Sequence, residues 1–287
     1  MTSLIKLVIM TAHKPHGLLD GKTSVVTGAS SGIGRAIARL LAQEGSHVFI
    51  AGRDAARLEA VAESIAQQGG RATIGAFDLN DSGKLKDFVD SAAEGTGRLD
   101  IMVNAAGIDH PGTIADGELD HWKSLFDTNV IAVLVGSQAA IRSMRRTGSA
   151  GHIVTISSYA GQGDGFRVYG ATKAAVNSIC KTLRKELEDE PIRVVTIMPG
   201  AVSTNFGRNH PPEFVNGLLK SFGLSENFEA GSILSDETLE SLGKRAPAFF
   251  AAPDDIARSV LFAVTQPHDV SVSEILVGPR KSFHVQF

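Results

Sequence analysis

The chain has 287 residues, of which 43% are hydrophobic and 21% are charged, so it is long and apolar enough to bury a substantial core. These values exclude a disordered tail, a collagen and a disulfide-rich miniprotein. The 28 basic and 31 acidic residues give a formal net charge of −3, which provides no overall positive field for nucleic acid. The single cysteine, Cys180, cannot form an internal disulfide, and no Cys/His cluster has the spacing of a metal site.

Residues 1–19 follow no periodic pattern, and we expect them to form an N-terminal extension ahead of the fold. The apolar stretch at residues 4–10 is short, contains a lysine and is not followed by a small-residue cleavage site. No uninterrupted apolar run approaches the roughly 20 residues that a membrane helix requires. We therefore expect a cytoplasmic protein with no membrane partner.

Strand-like and helical segments alternate through the rest of the chain. Seven strands are predicted, at residues 24–27, 47–50, 72–75, 100–103, 152–156, 193–197 and 274–277. Helical apolar spacing lies between them and includes long runs from His121 to Met144 and from Val168 to Leu187. This alternation is typical of an α/β fold with a doubly wound, mostly parallel sheet and helices on both faces. We predict one domain over residues 20–287.

Residues 205–247 form an amphipathic insert between the sixth and seventh predicted strands. Long excursions of this kind are usually lids or binding loops. Apolar residues in and near the insert favour a pocket for a moderately hydrophobic substrate, although an oligomer contact or the fold's own core explains them equally well. They are Phe166, Val168, Phe206, Phe214, Leu218 and Phe222.

A glycine-rich turn follows the first predicted strand and opens a helix. It reads Thr27-Gly28-Ala29-Ser30-Ser31-Gly32-Ile33-Gly34. Glycines permit positive φ and a close backbone approach, and the free N–H groups at a helix start attract anionic oxygens. The turn therefore suits a pyrophosphate, although a tight turn without a ligand has the same pattern.

Further short segments follow in a fixed order at strand ends and on the long helices. They are Asn104-Ala105-Ala106-Gly107, Thr128-Asn129-Val130, Ser157-Ser158, Tyr169-Gly170-Ala171-Thr172-Lys173 and Pro199-Gly200-Ala201-Val202-Ser203-Thr204. Together with the G-x-x-x-G-x-G turn, they resemble the short-chain dehydrogenase/reductase family in its compact form, over residues 19–280. The resemblance implies a Rossmann fold, a nicotinamide dinucleotide, a small carbonyl or alcohol substrate, and a homodimer or homotetramer.

The end of the second predicted strand discriminates between the two nicotinamide cofactors. Gly52 stands where NAD enzymes of the family usually carry Asp, and Arg53 follows it. A guanidinium binds phosphate with forked donors, so we predict NADP(H) rather than NAD(H). A shift of one residue would instead place Asp54 there, and Arg53 could be a plain surface arginine. Ser31 occupies a position where many NADP enzymes of the family carry a second basic residue.

Asp78 and Leu79 end the third predicted strand and resemble the pair that borders the adenine ring. Asp78 could equally cap the next helix. By resemblance, the small residues Ala105, Ala106 and Gly107 with Asn104 pack beside the cofactor. In the same way, Pro199, Gly200, Val202 and Thr204 border its nicotinamide end.

Tyr169 and Lys173 are four residues apart on a predicted helix and hence lie on one face of it. An ammonium group about 5 Å from a phenol lowers its pKa by roughly 2 units, from about 10 toward the working range of a base. Alone, the pair could be a half-buried aromatic ring and a snorkelling amine. The resemblance implies that Tyr169 exchanges the proton with the substrate and that Lys173 also binds the nicotinamide ribose.

By resemblance, Ser158 orients the substrate oxygen, with Ser157 as the alternative, and Asn129 holds a water near Lys173. The serines could merely end a strand, and Asn129 could be a structural hydrogen-bonding residue. We predict reversible hydride transfer between NADP(H) and a carbonyl or secondary alcohol carbon. The alternatives are an NAD-dependent alcohol dehydrogenase of the same family and a catalytically silent dinucleotide-binding protein.

Overall fold

The computed structural model describes residues 7–8, 17–163, 167–267 and 269–281. Its sheet consists of β1 (Leu7–Val8), β2 (Thr23–Thr27), β3 (His47–Gly52), β4 (Arg71–Ala76), β5 (Ile101–Asn104), β6 (Gly151–Ile156), β7 (Ile192–Pro199) and β8 (Glu274–Val277). The strand order is β1-β4-β3-β2-β5-β6-β7-β8. Strands β2 to β8 are parallel to their neighbours, whereas β1 is antiparallel to β4.

The seven predicted strands are confirmed, each within two residues of its expected bounds. Strand β1 lies within the predicted N-terminal extension, where Leu7 pairs with Thr73 and Val8 with Ala72 at the edge of the sheet. A strand of two residues is too short for alternation to distinguish it from a loop. Close packing on the main core begins at Leu19, which is buried.

The helices are α1 (Gly32–Gln43), α2 (Ala55–Gln67), α3 (Ser82–Thr96), α4 (Leu119–Phe126), α5 (Ala132–Thr147), α6 (Arg167–Glu186), α7 (Pro212–Ser221), α8 (Asp236–Arg245) and α9 (Pro253–Val264). A π-helical turn at Asp127–Ile131 joins α4 to α5 without a break. The two long helical runs predicted from the sequence are therefore confirmed.

Both faces of the sheet are covered by helices because its central strands are apolar on both sides. Val26 and Ile50 pack with α1, α2 and α9, whereas the adjacent Val25 and Phe49 pack with α3, α5 and α6. Successive side chains of a strand point to opposite faces, so unbroken apolar runs require two covering layers. The doubly wound α/β fold is confirmed.

The helical run Leu119–Thr147 is long and apolar enough to cross a membrane by length and composition. More than half of its most apolar window, 56%, is buried inside the fold. The core helix of a globular domain has these same properties, so the run gives only weak evidence for a membrane span.

The insert contains α7 and α8 and has a small apolar cluster of its own, formed by Val215, Leu219, Phe228, Leu234 and Leu239. An ion pair fastens it to the main fold. The guanidinium of Arg35 on α1 donates to both carboxylate oxygens of Asp236, at 2.7 and 2.8 Å. The insert therefore lies over the carboxyl ends of the parallel strands.

Candidate active site

A cavity of about 980 Å³ opens at the carboxyl ends of the parallel strands. It lies where the strand order reverses, because β2 pairs with β3 on one side and with β5 on the other. Ligands of doubly wound sheets bind at such a point. The glycine-rich turn, the segments after β3, β5, β6 and β7, and the insert form its walls.

The backbone of the glycine-rich turn favours glycine at the positions where glycine stands. Gly28 and Gly32 have φ values of +67° and +51°, in the left-handed region that favours glycine. A Cβ on Gly28 would lie 2.7 Å from the Cα of Ala106. Ser31 begins α1 without a side-chain cap, and it lines the cavity with its neighbours. The uncapped helix start and the glycine cradle fit the pyrophosphate of a dinucleotide.

Replacing Gly34 with alanine is expected to lower the free energy of unfolding by about 1–3 kcal/mol. The new Cβ would lie 2.3 Å from the carbonyl oxygen of Gly28, so the turn has to move. Urea denaturation measures the change. Gly95→Ala is the matched control, because a Cβ there meets nothing within 4 Å in α3. The control should be equally stable or more stable, by up to about 1 kcal/mol, and a Gly34→Ala variant as stable as the control would contradict the close contact.

The segment after β3 shows which of two neighbouring residues, Arg53 or Asp54, is available to contact the cofactor. Asp54 caps α2 by accepting a hydrogen bond from the backbone N–H of Arg57 at 3.1 Å, and it pairs with the Nε of Arg57 at 3.1 Å. Gly52 and Arg53 line the cavity, whereas Asp54 does not contribute to its walls. The carboxylate of Asp54 is thus committed to the helix, and Arg53 faces the ligand space.

Asp78 and Leu79 also line the cavity. The Oδ1 atom of Asp78 accepts from the backbone N–H of Asn80 at 3.0 Å. The residue that caps α3 is Asp81, which accepts from the N–H of Lys84 at 3.1 Å. The alternative that Asp78 is the helix cap is therefore wrong.

Ser158, Tyr169 and Lys173 meet at the inner wall of the cavity. The Ser158 hydroxyl interacts with the Tyr169 phenol and favours a lower pKa of that phenol. The Nζ atom of Lys173 lies 5.8 Å from the centre of the Tyr169 ring and donates to the carbonyl oxygen of Ile156 at 3.0 Å. One turn of α6 thus presents the phenol and the ammonium on the same face, as the spacing predicts.

The pKa of the Tyr169 phenol differs in direction from the sequence prediction. Burial raises the pKa of the Tyr169 phenol well above its usual value, the Ser158 hydroxyl opposes this rise, and the Asp109 carboxylate adds to it. Burial also lowers the pKa of Lys173 to about 8. The predicted lowering of the Tyr169 pKa by Lys173 is therefore not observed in the protein alone. Desolvation outweighs the attraction between the two groups because both are enclosed by protein.

Ser157 occupies a different environment from Ser158. Its buried hydroxyl donates to the Oδ1 of Asn177 at 2.6 Å, with a longer contact to the carbonyl oxygen of Lys173 at 3.4 Å. Ser158 lines the cavity with Tyr169, lowers the pKa of its phenol, and accepts from the N–H of Ala160 at 3.1 Å. Of the two serines, Ser158 is the one that interacts with the Tyr169 phenol.

The two predicted asparagines lie behind the cavity wall. Asn129 is fully buried in the π-helical turn, where its amide exchanges two 2.9 Å hydrogen bonds with the backbone of Ile108 and donates to Thr172 Oγ1 at 3.1 Å. Asn104 is also buried and donates to Ser137 at 3.0 Å. Asn104 is the last residue of β5 and faces α5, so only Ala105, Ala106 and Gly107 reach the cavity.

The wall that follows β7 consists of the predicted residues Pro199, Gly200, Val202 and Thr204. The methyl group of Thr204 sits directly over Gly32, where a Cβ would lie only 3.1 Å from it. The start of the insert therefore covers the glycine-rich turn.

Three of the six apolar residues predicted for a pocket line the cavity, namely Phe206, Phe214 and Leu218. Phe222 packs against the rings of Phe249 and Phe250 instead, with centroids 6.0 Å apart in both pairs. Val168 is absent from the lining, and Phe166 lies outside the described residues.

Asp109 and Arg208 line the cavity although they were not predicted from the sequence, and His210 lies next to Asp109. The Nε2 atom of His210 lies 3.2 Å from Oδ2 of Asp109, and Arg208 lines the cavity. A pair of residues 101 positions apart leaves no local signal in a single sequence. Within the described ranges, no group of three His, Cys, Asp or Glu residues could hold a metal ion.

Comparison with known proteins gives a consistent assignment. The family model for short chain dehydrogenase matches residues 22–213. The chain is 34% identical over 264 residues to an uncharacterized oxidoreductase of Staphylococcus aureus, covering 91% of this chain and 99% of that protein. It is 33% identical over 268 residues to the glycine betaine reductase of Emericella nidulans, covering 93% of this chain but only 19% of that protein.

A solved structure of a metagenomic short-chain oxidoreductase in complex with NADP is similar as well. It superposes with a TM-score of 0.70 at 30% sequence identity, covering 91% of this chain and 99% of the other. The family match extends over the glycine-rich turn, the Tyr169 and Lys173 pair and the segment after β7. The chain is thus an oxidoreductase that belongs to the short-chain dehydrogenase family.

Proposed function

We propose that the protein is an NADP(H)-dependent oxidoreductase that interconverts a carbonyl and a secondary alcohol. The observation that carries this proposal is the convergence of Ser158, Tyr169 and Lys173 in the wall of a dinucleotide-sized cavity, with the Lys173 Nζ 5.8 Å from the centre of the phenol ring. When bound, the nicotinamide supplies or accepts the hydride.

The residues of the chain would then manage the oxygen and the proton. The Ser158 hydroxyl can donate to the substrate oxygen and hold it beside the phenol. Because the raised pKa keeps Tyr169 protonated, its O–H is suited to donate the proton in the direction of carbonyl reduction. Lys173, anchored by the carbonyl of Ile156, places a positive charge where the phenolate forms.

Asn129 has a positioning role in this proposal. Its amide connects Ile108, in the loop after β5, with Thr172 on α6. Thr172 also donates to the carbonyl oxygen of Tyr169 at 2.7 Å. The amide therefore fixes the distance between the cavity floor and the helix turn that carries the phenol.

The choice of NADP(H) rests on Arg53 and Gly52 in the cavity wall and on the use of Asp54 as a helix cap. Without a carboxylate at this position, nothing repels a 2′-phosphate or binds a free 2′-hydroxyl. The NADP complex of the similar metagenomic oxidoreductase supports the same choice.

The proposal extends to substrate, assembly and location. Phe206, Phe214 and Leu218 support a moderately hydrophobic substrate. Exposed apolar side chains along the α4–α5 run support a homodimer or homotetramer, which light scattering would test; they are Leu119, Phe126, Ile131 and Leu134. A cytoplasmic location agrees with the single cysteine.

Arg53→Ala is expected to weaken NADPH binding by about tenfold or more, because a charge-assisted contact to phosphate is lost. NADH binding should change less than about twofold, since NADH lacks that phosphate. Quenching of intrinsic fluorescence or calorimetry gives both dissociation constants. Equal affinities of the unaltered protein for NADPH and NADH would contradict the phosphate assignment.

Arg71→Ala provides the matched control. Arg71 is exposed at the amino end of β4, whereas the cavity lies at the carboxyl ends of the strands. The substitution removes the same charge and should leave both affinities unchanged. Turnover of a panel of ketones and alcohols, followed by nicotinamide absorbance, tests the reaction itself. Binding of NADPH without turnover of any carbonyl or alcohol would favour the catalytically silent alternative.

A further inference from the structure

We propose that Arg208 of the insert makes a second cationic contact to the 2′-phosphate of NADP(H), together with Arg53, which lines the same cavity. The inference rests on the proposed function, since it requires NADP(H) in the cavity. It assigns a role in cofactor specificity to Arg208, a residue that none of the motifs noted in the sequence includes.

Arg208 is held at the cavity by contacts on both sides of it in the chain. The side chain of Asn205 exchanges hydrogen bonds of 2.9 and 2.7 Å with the backbone of Leu234. Asn209 donates to the carbonyl oxygen of Asp109 at 2.7 Å, and His210 contacts the Asp109 carboxylate at 3.2 Å. The short 3₁₀ turn Asn205–Asn209 is therefore fixed to the insert at its start and to the segment after β5 at its end.

In the described residues, no ion pair offsets the positive charge of Arg208. Its Nη1 donates to the carbonyl oxygen of Asn205 at 3.2 Å. Burial lowers the pKa of its guanidinium, and the positive charges of Arg53 and Arg57 lower it further. In the part of the chain that the structure describes, no carboxylate forms an ion pair with Arg53 or Arg208, whereas Arg57 is paired with Asp54. An anion placed between Arg53 and Arg208 would relieve this repulsion.

The identity of the two cationic neighbours selects the 2′-phosphate among the anionic groups of the cofactor. Arg53 and Arg57 belong to the segment after β3, which discriminates the ribose substituent. The pyrophosphate instead has the uncapped start of α1 and its backbone N–H groups. Arg208 thereby takes the place of the second basic residue that Ser31 does not provide in the turn.

Calorimetry with 2′,5′-ADP and with ADP tests the inference without any turnover. Arg208→Gln is expected to raise the Kd for 2′,5′-ADP by about tenfold or more, which corresponds to about 1.4 kcal/mol. The Kd for ADP, which carries the pyrophosphate but lacks the 2′-phosphate, should change less than about twofold. Arg208→Lys retains the charge but not the fork, so a smaller loss of about threefold is expected for 2′,5′-ADP.

Lys220→Gln serves as the control, because Lys220 is an exposed cation of α7 in the same insert. It should leave both dissociation constants unchanged, and thermal unfolding of each variant shows whether the fold is retained. A loss for ADP that equals or exceeds the loss for 2′,5′-ADP would place Arg208 at the 5′-phosphates and overturn the inference. No loss in either Arg208 variant would overturn it as well. If the unaltered protein itself fails to prefer 2′,5′-ADP over ADP, the NADP(H) assignment fails with it.

Discussion

Tyr169→Phe is expected to lower kcat for carbonyl reduction by about 10²–10⁴-fold, the range that a positioned general acid contributes. The phenol of Tyr169 lies with Ser158 in the cavity wall, and burial raises its pKa high enough to keep its proton. Phenylalanine retains the ring contact with Phe206, whose centroid is 5.3 Å away, so the cavity should keep its shape. NADPH binding is expected to stay within about twofold, because the lost group acts on the substrate oxygen.

Steady-state kinetics with NADPH and any accepted ketone would measure this effect. Tyr159→Phe removes the same hydroxyl from the other tyrosine of the cavity wall, whose side chain is 54% exposed, and it should lower kcat far less than Tyr169→Phe does. A Tyr169→Phe variant with near-normal kcat would show that another group supplies the proton. The proposed acid role of Tyr169 could not survive that result.

Lys173→Met is expected to lower kcat/KM by about 10²–10⁴-fold as well, because the variant loses the charge beside the forming phenolate. Methionine has a similar length and apolar body, so the packing of α6 against the end of β6 should be preserved. Activity comparable to that of the unaltered protein would contradict the role of the ammonium.

The same variant has a second readout that depends only on the titration of Lys173. Burial lowers the pKa of Lys173 from 10.5 to about 8, so the unfolded chain binds more protons than the folded protein between these two pH values. Stability rises with pH wherever the unfolded state binds more protons. Between pH 8 and pH 10, the unaltered protein should therefore gain about 2 kcal/mol of unfolding free energy relative to Lys173→Met.

Urea unfolding of both proteins at each pH measures this contribution, because titrating groups remote from residue 173 contribute equally to the two curves. A constant stability difference across the interval would mean that Lys173 titrates as it does in the unfolded chain. The kinetic and thermodynamic measurements are independent, since the first reports on the charged group in the reaction and the second on its burial.

The fold and much of the candidate site could be predicted from the sequence because their signals are local. Val25 and Val26 lie in an unbroken apolar run, which indicates a strand buried on both faces, and the structure places them in opposite cores. The turn from Gly28 to Gly34 and the four-residue spacing of Tyr169 and Lys173 also depend on neighbours in the chain.

The remaining features depend on contacts that one sequence does not encode locally. Arg208, Asp109 and His210 come together only when the insert folds back over the strand ends. The rise in the Tyr169 pKa follows from enclosure by several segments, whereas the spacing of the motif indicates only that a lysine is near. Asn104 was expected beside the cofactor, but it faces α5 because it continues strand β5 by one residue more than predicted.

The contact between Thr204 and Gly32 has a consequence for the timing of the proposed reaction. Thr204 directly precedes the insert and covers the glycine-rich turn, while the Arg35–Asp236 pair fastens the insert to α1. A dinucleotide has to reach the turn beneath Thr204, whereas a small ketone has to reach only the apolar end beside Phe214. We therefore expect the dinucleotide to bind first and to leave last, and product-inhibition kinetics would test this order.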